Sequence, residues 1–119
     1  MYPPPSLEIF YKLMRGDIEQ IAYSLSVLSI CFEKGDYLGI EAPFRFSKKE
    51  KISDSPVLDF PLAESQLMRL LGCKIVHINC DTDGTLELDF SNGDVLIVYA
   101  NDPMYEAYTL SIDGKNYVV

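Results

Sequence analysis

The sequence predicts a mainly β protein: an internally duplicated antiparallel β-sandwich or partly open barrel that carries two short helices. Three observations support this fold class. The segment 32–40 recurs 58 positions later as segment 90–98. Short alternating apolar segments follow one another, and turn sequences that contain glycine separate them. Hydrophobic residues make up 48% of the 119 residues, which suffices for the core of one domain over residues 1–119.

The two copies agree at positions that serve a core or a turn. The identical pairs are Leu28 and Leu86, Phe32 and Phe90, Gly35 and Gly93, Asp36 and Asp94, and Leu38 and Leu96. The repeated units extend over about residues 14–47 and 70–112. A repeat of this kind predicts a scaffold and says little about an activity.

The first copy is expected to contain one helix and four strands. Ser6 can cap a helix over about residues 6–15, and Gly16 ends it. Strands over 18–23, 27–33 and 37–42 follow, and Lys34-Gly35 forms the turn between the last two. Residues 43–47 favour a short edge strand, whereas 48–56 form a polar connector.

The second copy repeats this order. Pro61 can start a helix that runs to residue 71. Strands over 74–81, 85–90 and 95–99 are joined by Asp83-Gly84 and Asn92-Gly93, dipeptides that favour two-residue hairpins with positive φ. A strand over 105–112 returns through Asp113-Gly114 as residues 117–119, which completes about eight or nine strands.

The composition disfavours several classes of protein. The N-terminus has no basic region followed by an apolar run, and no segment approaches the ~18 apolar residues of a membrane span. A cytoplasmic protein without a membrane partner is therefore expected. Cys31, Cys73 and Cys80 are odd in number and lack Cys-x-x-Cys spacing, so we expect reduced thiols and no disulfide framework.

Negative charge is concentrated in the second copy. The net charge is −8, and between Lys74 and Lys115 there is no Lys or Arg. The acidic residues in that interval are Asp81, Asp83, Glu87, Asp89, Asp94, Asp102, Glu106 and Asp113. Such a field repels nucleic acid and accelerates encounter with a basic partner. The alternative is that the charge serves solubility.

Motifs for catalysis or metal binding are weak or missing. Residues 79–84 match the first six positions of an EF-hand loop, but Phe90 stands where a bidentate glutamate is needed. His77 is the single histidine and has no second ligand at a suitable spacing. Glu87 and Asp89 share one strand face, where a solvated surface is a simpler interpretation than an acid and base pair. The sequence therefore predicts no enzyme, no cofactor and no metal site.

The segment 103–110 combines tyrosines with a carboxylate. Tyr105 and Tyr108 flank Glu106, a composition that suits an interface to a basic protein. Alternatively, the tyrosines pack across the sandwich with their hydroxyls hydrogen-bonded. Because they are three residues apart, they cannot both point inward from a regular strand, and one should be exposed.

Three motifs carry a resemblance to a known family: Phe90-x-x-Gly93-x-x-Leu96, Tyr105-Glu106-Ala107-Tyr108 and Asp113-Gly114. Over residues 14–119 the chain resembles a family of small, duplicated bacterial β proteins of uncharacterised function, in which Trp is usual at the position of Tyr108. Proteins of this type are similar to immunity proteins of contact-dependent growth inhibition systems. The resemblance implies a protein that binds and blocks a cognate toxin.

We therefore expect a non-enzymatic, immunity-type protein that neutralises a basic toxin, in particular a nuclease, through an acidic β surface. Carboxylates can compete for a surface that must attract phosphates. The expected contact residues are Asp81, Asp83, Asp94, Asp102, Tyr105 and Glu106. Two alternatives stay open: a small-ligand-binding or structural β module with a pocket between the copies, and an enzyme that uses Glu87, Asp89 or Cys31. The protein is expected to be a monomer or weak homodimer.

Overall fold

The computed structural model describes residues 3–24, 26–47, 67–100 and 106–119. Over these ranges the chain forms nine strands in two antiparallel sheets, so the mainly β prediction is confirmed, and the sheets do not close into a barrel. The strands are β1 Ile18–Tyr23, β2 Leu28–Phe32, β3 Tyr37–Ile40, β4 Phe44–Ser47, β5 Ile75–Cys80, β6 Leu86–Phe90, β7 Val95–Val98, β8 Tyr108–Ile112 and β9 Lys115–Val118.

The two sheets exchange strands between the halves of the chain. One sheet has the order β1-β2-β3-β8-β9, and the other has the order β4-β7-β6-β5. Strand β8 from the second half pairs with β3, placing Leu110 opposite Leu38. Strand β4 from the first half pairs with β7, placing Phe46 opposite Leu96. Each sheet is therefore completed by a strand from the other half.

Alternating burial explains why these segments become strands. In β6, Leu86, Leu88 and Phe90 are buried while Glu87 and Asp89 are half-buried on the opposite face. The same alternation occurs in β2 and β8. Because successive side chains in a strand point to opposite faces, one face of each sheet supplies the core between the sheets. The buried apolar residues of both sheets form one cluster.

The predicted first helix is present over nine residues. Helix α1, Leu7–Tyr11, continues as a 3-10 turn over Lys12–Arg15. Phe10 is fully buried, and its ring meets that of Tyr108 edge-on at a centroid distance of 6.3 Å. The prediction that the Ser6 side chain caps the helix is wrong, because this side chain makes no capping hydrogen bond. The backbone carbonyl oxygen of Ser6 accepts a hydrogen bond from the Ile9 N–H at 3.0 Å.

The predicted second helix is described only at its end. Residues 61–66 lie outside the described residues, and the following residues contain a 3-10 turn over Met68–Leu70. Leu67 and Leu70 are buried in the core, and Gly72 ends the turn with a φ of 81°. Within the described ranges, no helix is long and apolar enough to cross a membrane.

Two of the predicted two-residue turns are longer loops. Asp113 and Gly114 both have positive φ, as a two-residue hairpin requires. In the β5–β6 and β6–β7 loops, by contrast, only the glycines of Asp83-Gly84 and Asn92-Gly93 have positive φ. The side chains explain the difference, because Oδ1 of Asp83 and of Asn92 each accepts a backbone N–H two residues on, at 2.9 Å. This bond favours a turn within a wider loop.

Candidate acidic interface

The strand registers define two ends of the sandwich. One end holds the first residues of β1 and β5 with the β2–β3, β6–β7 and β8–β9 turns; we call it the paired end. The other holds the β3–β4 connection, the β5–β6 loop and the start of β8; we call it the acidic end. Both sheets meet at each end, since the Ile18 N–H donates to the Cys73 carbonyl at 2.8 Å, and the Tyr108 hydroxyl donates to the Gly84 carbonyl at 2.8 Å.

The paired end is rich in neutralised charge. All five ion pairs found among the described residues lie there: Lys12–Asp113, Arg15–Asp36, Arg15–Asp113, Arg69–Asp94 and Lys74–Asp17. The guanidinium of Arg15 lies 2.7 Å from an Asp113 oxygen, and it lowers the pKa of that carboxyl below its usual value. Carboxylates at this end are therefore engaged within the chain.

Asp94 belongs to the paired end, although the sequence suggested a partner contact. Its side chain is fully buried, and Arg69 binds it through Nε and Nη2 at 3.0 and 3.2 Å. The Asn92 amide donates a further hydrogen bond at 2.8 Å. A side chain enclosed in this way offers no surface to a partner protein, so we remove Asp94 from the candidate contact residues.

The acidic end presents exposed carboxylates that form no ion pair within the described part of the chain. Three of the predicted contact residues are exposed: Asp81 and Asp83 in the β5–β6 loop, and Glu106 before β8. Two other predicted contact residues, Asp102 and Tyr105, lie outside the described residues.

Glu41 is a fourth exposed carboxylate at this end, and the sequence analysis missed it. Its backbone N–H donates to the Ala107 carbonyl at 2.9 Å, which places Glu41 close to Glu106. The two residues are brought near each other because β3 pairs with β8, strands that lie some 70 positions apart in the sequence. Only knowledge of that pairing could have brought Glu41 into the candidate set.

Buried contacts fix the β5–β6 loop that carries Asp81 and Asp83. Tyr108 is buried, donates to the Gly84 carbonyl, and lies 3.8 Å from the Cys80 sulfur. Burial raises the pKa of the Tyr108 hydroxyl, which therefore keeps its proton. Tyr108 thus points inward and has a structural role.

The outward face of β6 was the candidate site for acid–base chemistry. Burial raises the pKa of Glu87, and the neighbouring Asp89 carboxylate raises it further. His77 lies directly opposite Asp89 on β5, where it is exposed. No group of three His, Cys, Asp or Glu side chains within the described ranges is arranged to hold a metal ion. Glu87 and Asp89 lie half-buried on the outward face of the sheet.

The three cysteines are free thiols with partial burial. Burial is the main cause of the raised pKa values of the Cys31 and Cys80 thiols. A nucleophilic cysteine requires a thiolate, which a raised pKa disfavours at neutral pH. The proposed role of Cys31 in an enzyme receives no support from this environment.

A shallow groove runs between the helix of the first half and the edge strand of the second. It measures about 550 Å³ and is lined by Tyr11, Met14, Arg15, Val76, His77 and Ile78. Tyr11 and Val76 are half exposed there, at 48% and 53%. The groove lies between residues of the first and second halves of the chain and is open to solvent.

Comparison with known proteins identifies a family and no individual relative. No curated protein and no solved structure matches the chain. A family model matches residues 13–119, which include all nine strands and both ends of the sandwich. Its description is a family of unknown function, DUF6188. The chain therefore belongs to the DUF6188 family.

Proposed function

We propose that this chain is a non-enzymatic, immunity-type protein of the bacterial cytoplasm that binds and neutralises a basic toxin, a nuclease in particular, through its acidic end. One observation carries the proposal: in the part of the chain that the structure describes, charges are paired at one end of the sandwich and unpaired at the other. Every ion pair among the described residues lies at the paired end. The exposed carboxylates at the acidic end are Glu41, Asp81, Asp83 and Glu106.

Unpaired exposed carboxylates are suited to a cationic partner. A nuclease must present Lys and Arg side chains to phosphates, and a cluster of carboxylates offers these cations a competing anionic surface. Complementary potentials also accelerate association, since fields of one sign steer oppositely charged proteins together. At physiological salt the Debye length is about 8 Å, so charges grouped at one end of the protein attract a partner together only when it is close.

A rigid loop strengthens such an interaction because less conformational entropy is lost on binding. The β5–β6 loop is held by several internal bonds. The Asp81 N–H donates to the Thr85 carbonyl, and the Gly84 N–H donates to the Asp81 carbonyl, each at 2.9 Å. The Tyr108 hydroxyl anchors the same loop to the other sheet. The carboxylates of Asp81 and Asp83 are therefore attached to a fixed backbone.

We also infer that the chain is an internal duplication whose second copy carries the binding function. Arg15 binds Asp36 in the first half just as Arg69 binds Asp94 in the second. A register shift also occurs at the start of both β1 and β5. The β1–β2 connection, which corresponds to the acidic β5–β6 loop, contains no carboxylate. The scaffold is thus common to both halves, and the acidic loop belongs to one.

The proposal is tested with the protein encoded beside this gene. Its toxic activity is measured with and without the purified chain, and then with a variant in which Glu41→Gln, Asp81→Asn, Asp83→Asn and Glu106→Gln are combined. The wild-type chain should inhibit, and the variant should need far more protein for the same inhibition. The Asn at position 83 keeps the oxygen that accepts the Thr85 N–H, so the loop is preserved. Equal inhibition by both proteins contradicts the proposal.

A second candidate function is supported by the groove beside α1. Its exposed apolar lining, including Tyr11 and Val76, suits a small ligand better than bulk solvent. A ligand that binds the folded chain raises its unfolding temperature. A reproducible thermal shift with a metabolite, abolished by Val76→Asp and unchanged by Asp81→Asn, would favour this function over toxin binding.

A further inference from the structure

The outward face of the four-stranded sheet carries two rows of side chains in register. Across β4, β7, β6 and β5, the first row is Arg45, Ile97, Glu87 and Asn79, and the second is Ser47, Val95, Asp89 and His77. The two residues of the central strand β7 are apolar, a basic side chain lies to one side of them, and two acidic side chains lie to the other. The face therefore combines an apolar stripe with opposite charges at its flanks.

Within the described ranges, the charged side chains of this face form no ion pair. Arg45 is half-buried and forms no ion pair among the described residues, and its Nε is buried without an acceptor. Oδ1 of Asp89 is buried without a donor. These two atoms are closed to solvent, so a docked surface cannot reach them, but both residues keep part of their surface exposed. The face therefore presents a partly exposed cation and a partly exposed anion to a partner of complementary charge.

The register gives the geometry that would satisfy them. Adjacent strands lie about 4.8 Å apart, so β4 and β6 are each about 5 Å from β7, on opposite sides. A two-fold axis that runs along β7, between two copies packed face to face, places β4 of one copy over β6 of the other. Arg45 then faces Glu87, and Ser47 faces Asp89. In a two-fold interface each contact occurs twice, so both copies gain the same pairs.

The apolar stripe completes this arrangement. Val95 and Ile97 lie on the axis, and each therefore packs against its own counterpart. Both are half-buried in the single chain and would lose their remaining exposure to water. Glu87, whose pKa is raised by burial and by Asp89, would gain a cationic partner in Arg45 of the other copy.

We propose that this outward face is a self-association surface whose occupant is a second copy of the chain, packed across a two-fold axis along β7. The complementarity of the face to itself is what selects this occupant. Four strands of four to six residues offer a face of roughly 300 Å², well below the ~800 Å² per partner of a standard stable interface. The dimer is therefore weak and reversible. It leaves both acidic ends free.

Sedimentation equilibrium of the purified chain from about 10 µM to 1 mM tests the proposal. We expect a monomer–dimer equilibrium with a dissociation constant on the order of 100 µM. Arg45→Glu and Glu87→Arg, each alone, should weaken the dimer at least tenfold, because like charges then face each other. Glu19→Arg, an exposed change on β1 of the other sheet, should leave the constant unchanged.

Mixing the two charge variants gives the sharpest outcome. In a mixed dimer of R45E with E87R, each glutamate of one chain faces an arginine of the other, so association should return to at least the wild-type level. This recovery also shows that both variants are folded. A wild-type chain that stays monomeric at 1 mM overturns the proposal, as does a dimer that both variants leave intact or a mixture that does not associate.

Discussion

Arg69 binds the fully buried carboxylate of Asp94 through two hydrogen bonds, from Nε to Oδ2 at 3.0 Å and from Nη2 to Oδ1 at 3.2 Å. Arg15 and Asp36 form the same bidentate pair in the first half, at 2.8 and 2.7 Å. In both halves an arginine from a 3-10 turn binds the aspartate in the loop between two consecutive strands: β2 and β3 in the first half, and β6 and β7 in the second. Asp36 and Asp94 are thus structural elements of their hairpin loops and contribute no surface charge.

Replacing Asp94 with alanine should destabilise the fold strongly. The change removes the partner of Arg69 and leaves donors unpaired around a buried site, which costs about 2–4 kcal/mol once the partial exposure of Arg69 is allowed for. Asp36→Ala should cost a similar amount. Denaturant unfolding measures both. Asp81→Ala, which removes an exposed carboxylate without an ion pair, is the control and should cost less than about 0.5 kcal/mol. Equal losses at positions 81 and 94 would contradict the structural role of Asp94.

Gly84 should tolerate a side chain less well than Gly114. Both have positive φ, so alanine at either position carries backbone strain of about 1–2 kcal/mol. A Cβ at Gly84 would also lie 2.8 Å from the Val119 side chain and 3.3 Å from that of Ala100, whereas nothing lies within 4 Å at Gly114. Overpacking adds about 1–3 kcal/mol. Thermal and denaturant unfolding measure the loss of stability in Gly84→Ala and in Gly114→Ala. A smaller loss at position 84 would mean that the loop does not contact Val119.

Tyr108→Phe should change both stability and its dependence on alkaline pH. Loss of the hydroxyl bond to the Gly84 carbonyl costs about 1 kcal/mol and loosens the acidic loop. In the unfolded chain a tyrosine ionises near pH 10. Burial raises the pKa of Tyr108 in the folded protein, so the unfolded chain loses this proton first and stability falls as pH rises above about 10.

The phenylalanine variant should show a shallower loss over that alkaline range. Stability measured from pH 8 to 11 in wild type and variant provides the comparison. Tyr37→Phe is the control, because it removes a tyrosine hydroxyl that bonds to Ser29 on the outer face of the other sheet. If Tyr108→Phe and Tyr37→Phe give parallel curves, the hydroxyl of Tyr108 is not buried as described.

Glu87→Gln should stabilise the protein at neutral pH. The pKa of Glu87 is raised by burial and by Asp89, so the folded chain holds this proton to a higher pH than the unfolded chain does. Stability is therefore full below the unfolded pKa of about 4.3 and decreases as pH rises through the folded pKa. Glutamine has no proton to lose. At micromolar concentration, where the chain is monomeric, the stability gain should be present at pH 7 and absent at pH 3.5, and a loss of stability at pH 7 would contradict this assignment.

The sequence predicted the elements that depend on local patterns. Alternation around Leu86 and Leu88 indicated a strand with one buried face, and the turn at Asp113-Gly114 has the predicted positive φ values. Local chemistry also explains the errors. The side chains of Asp83 and Asn92 accept backbone bonds within their loops, which a dipeptide rule does not include.

Features that depend on long-range pairing could not be predicted. The exchange of β4 and β8 between the sheets joins segments that are far apart in the sequence. No residue pattern indicates which sheet edge each of these strands pairs with. The same pairing brings Glu41 beside Glu106, so one member of the acidic end was missed. Asp94 was misassigned for a related reason: its partner Arg69 lies 25 positions earlier, beyond the reach of a turn motif.

We propose that the exposed carboxylates of the acidic end, which form no ion pair among the described residues, bind a basic partner. Isothermal titration against the basic protein encoded beside this gene compares two variants that each remove two exposed carboxylates: Glu41→Gln with Glu106→Gln at the acidic end, and Glu8→Gln with Glu19→Gln elsewhere. We predict that the acidic-end pair weakens binding about tenfold or more, with a shallower salt dependence, while the control pair changes it less than about twofold. Equal affinities for the two variants would contradict the claim.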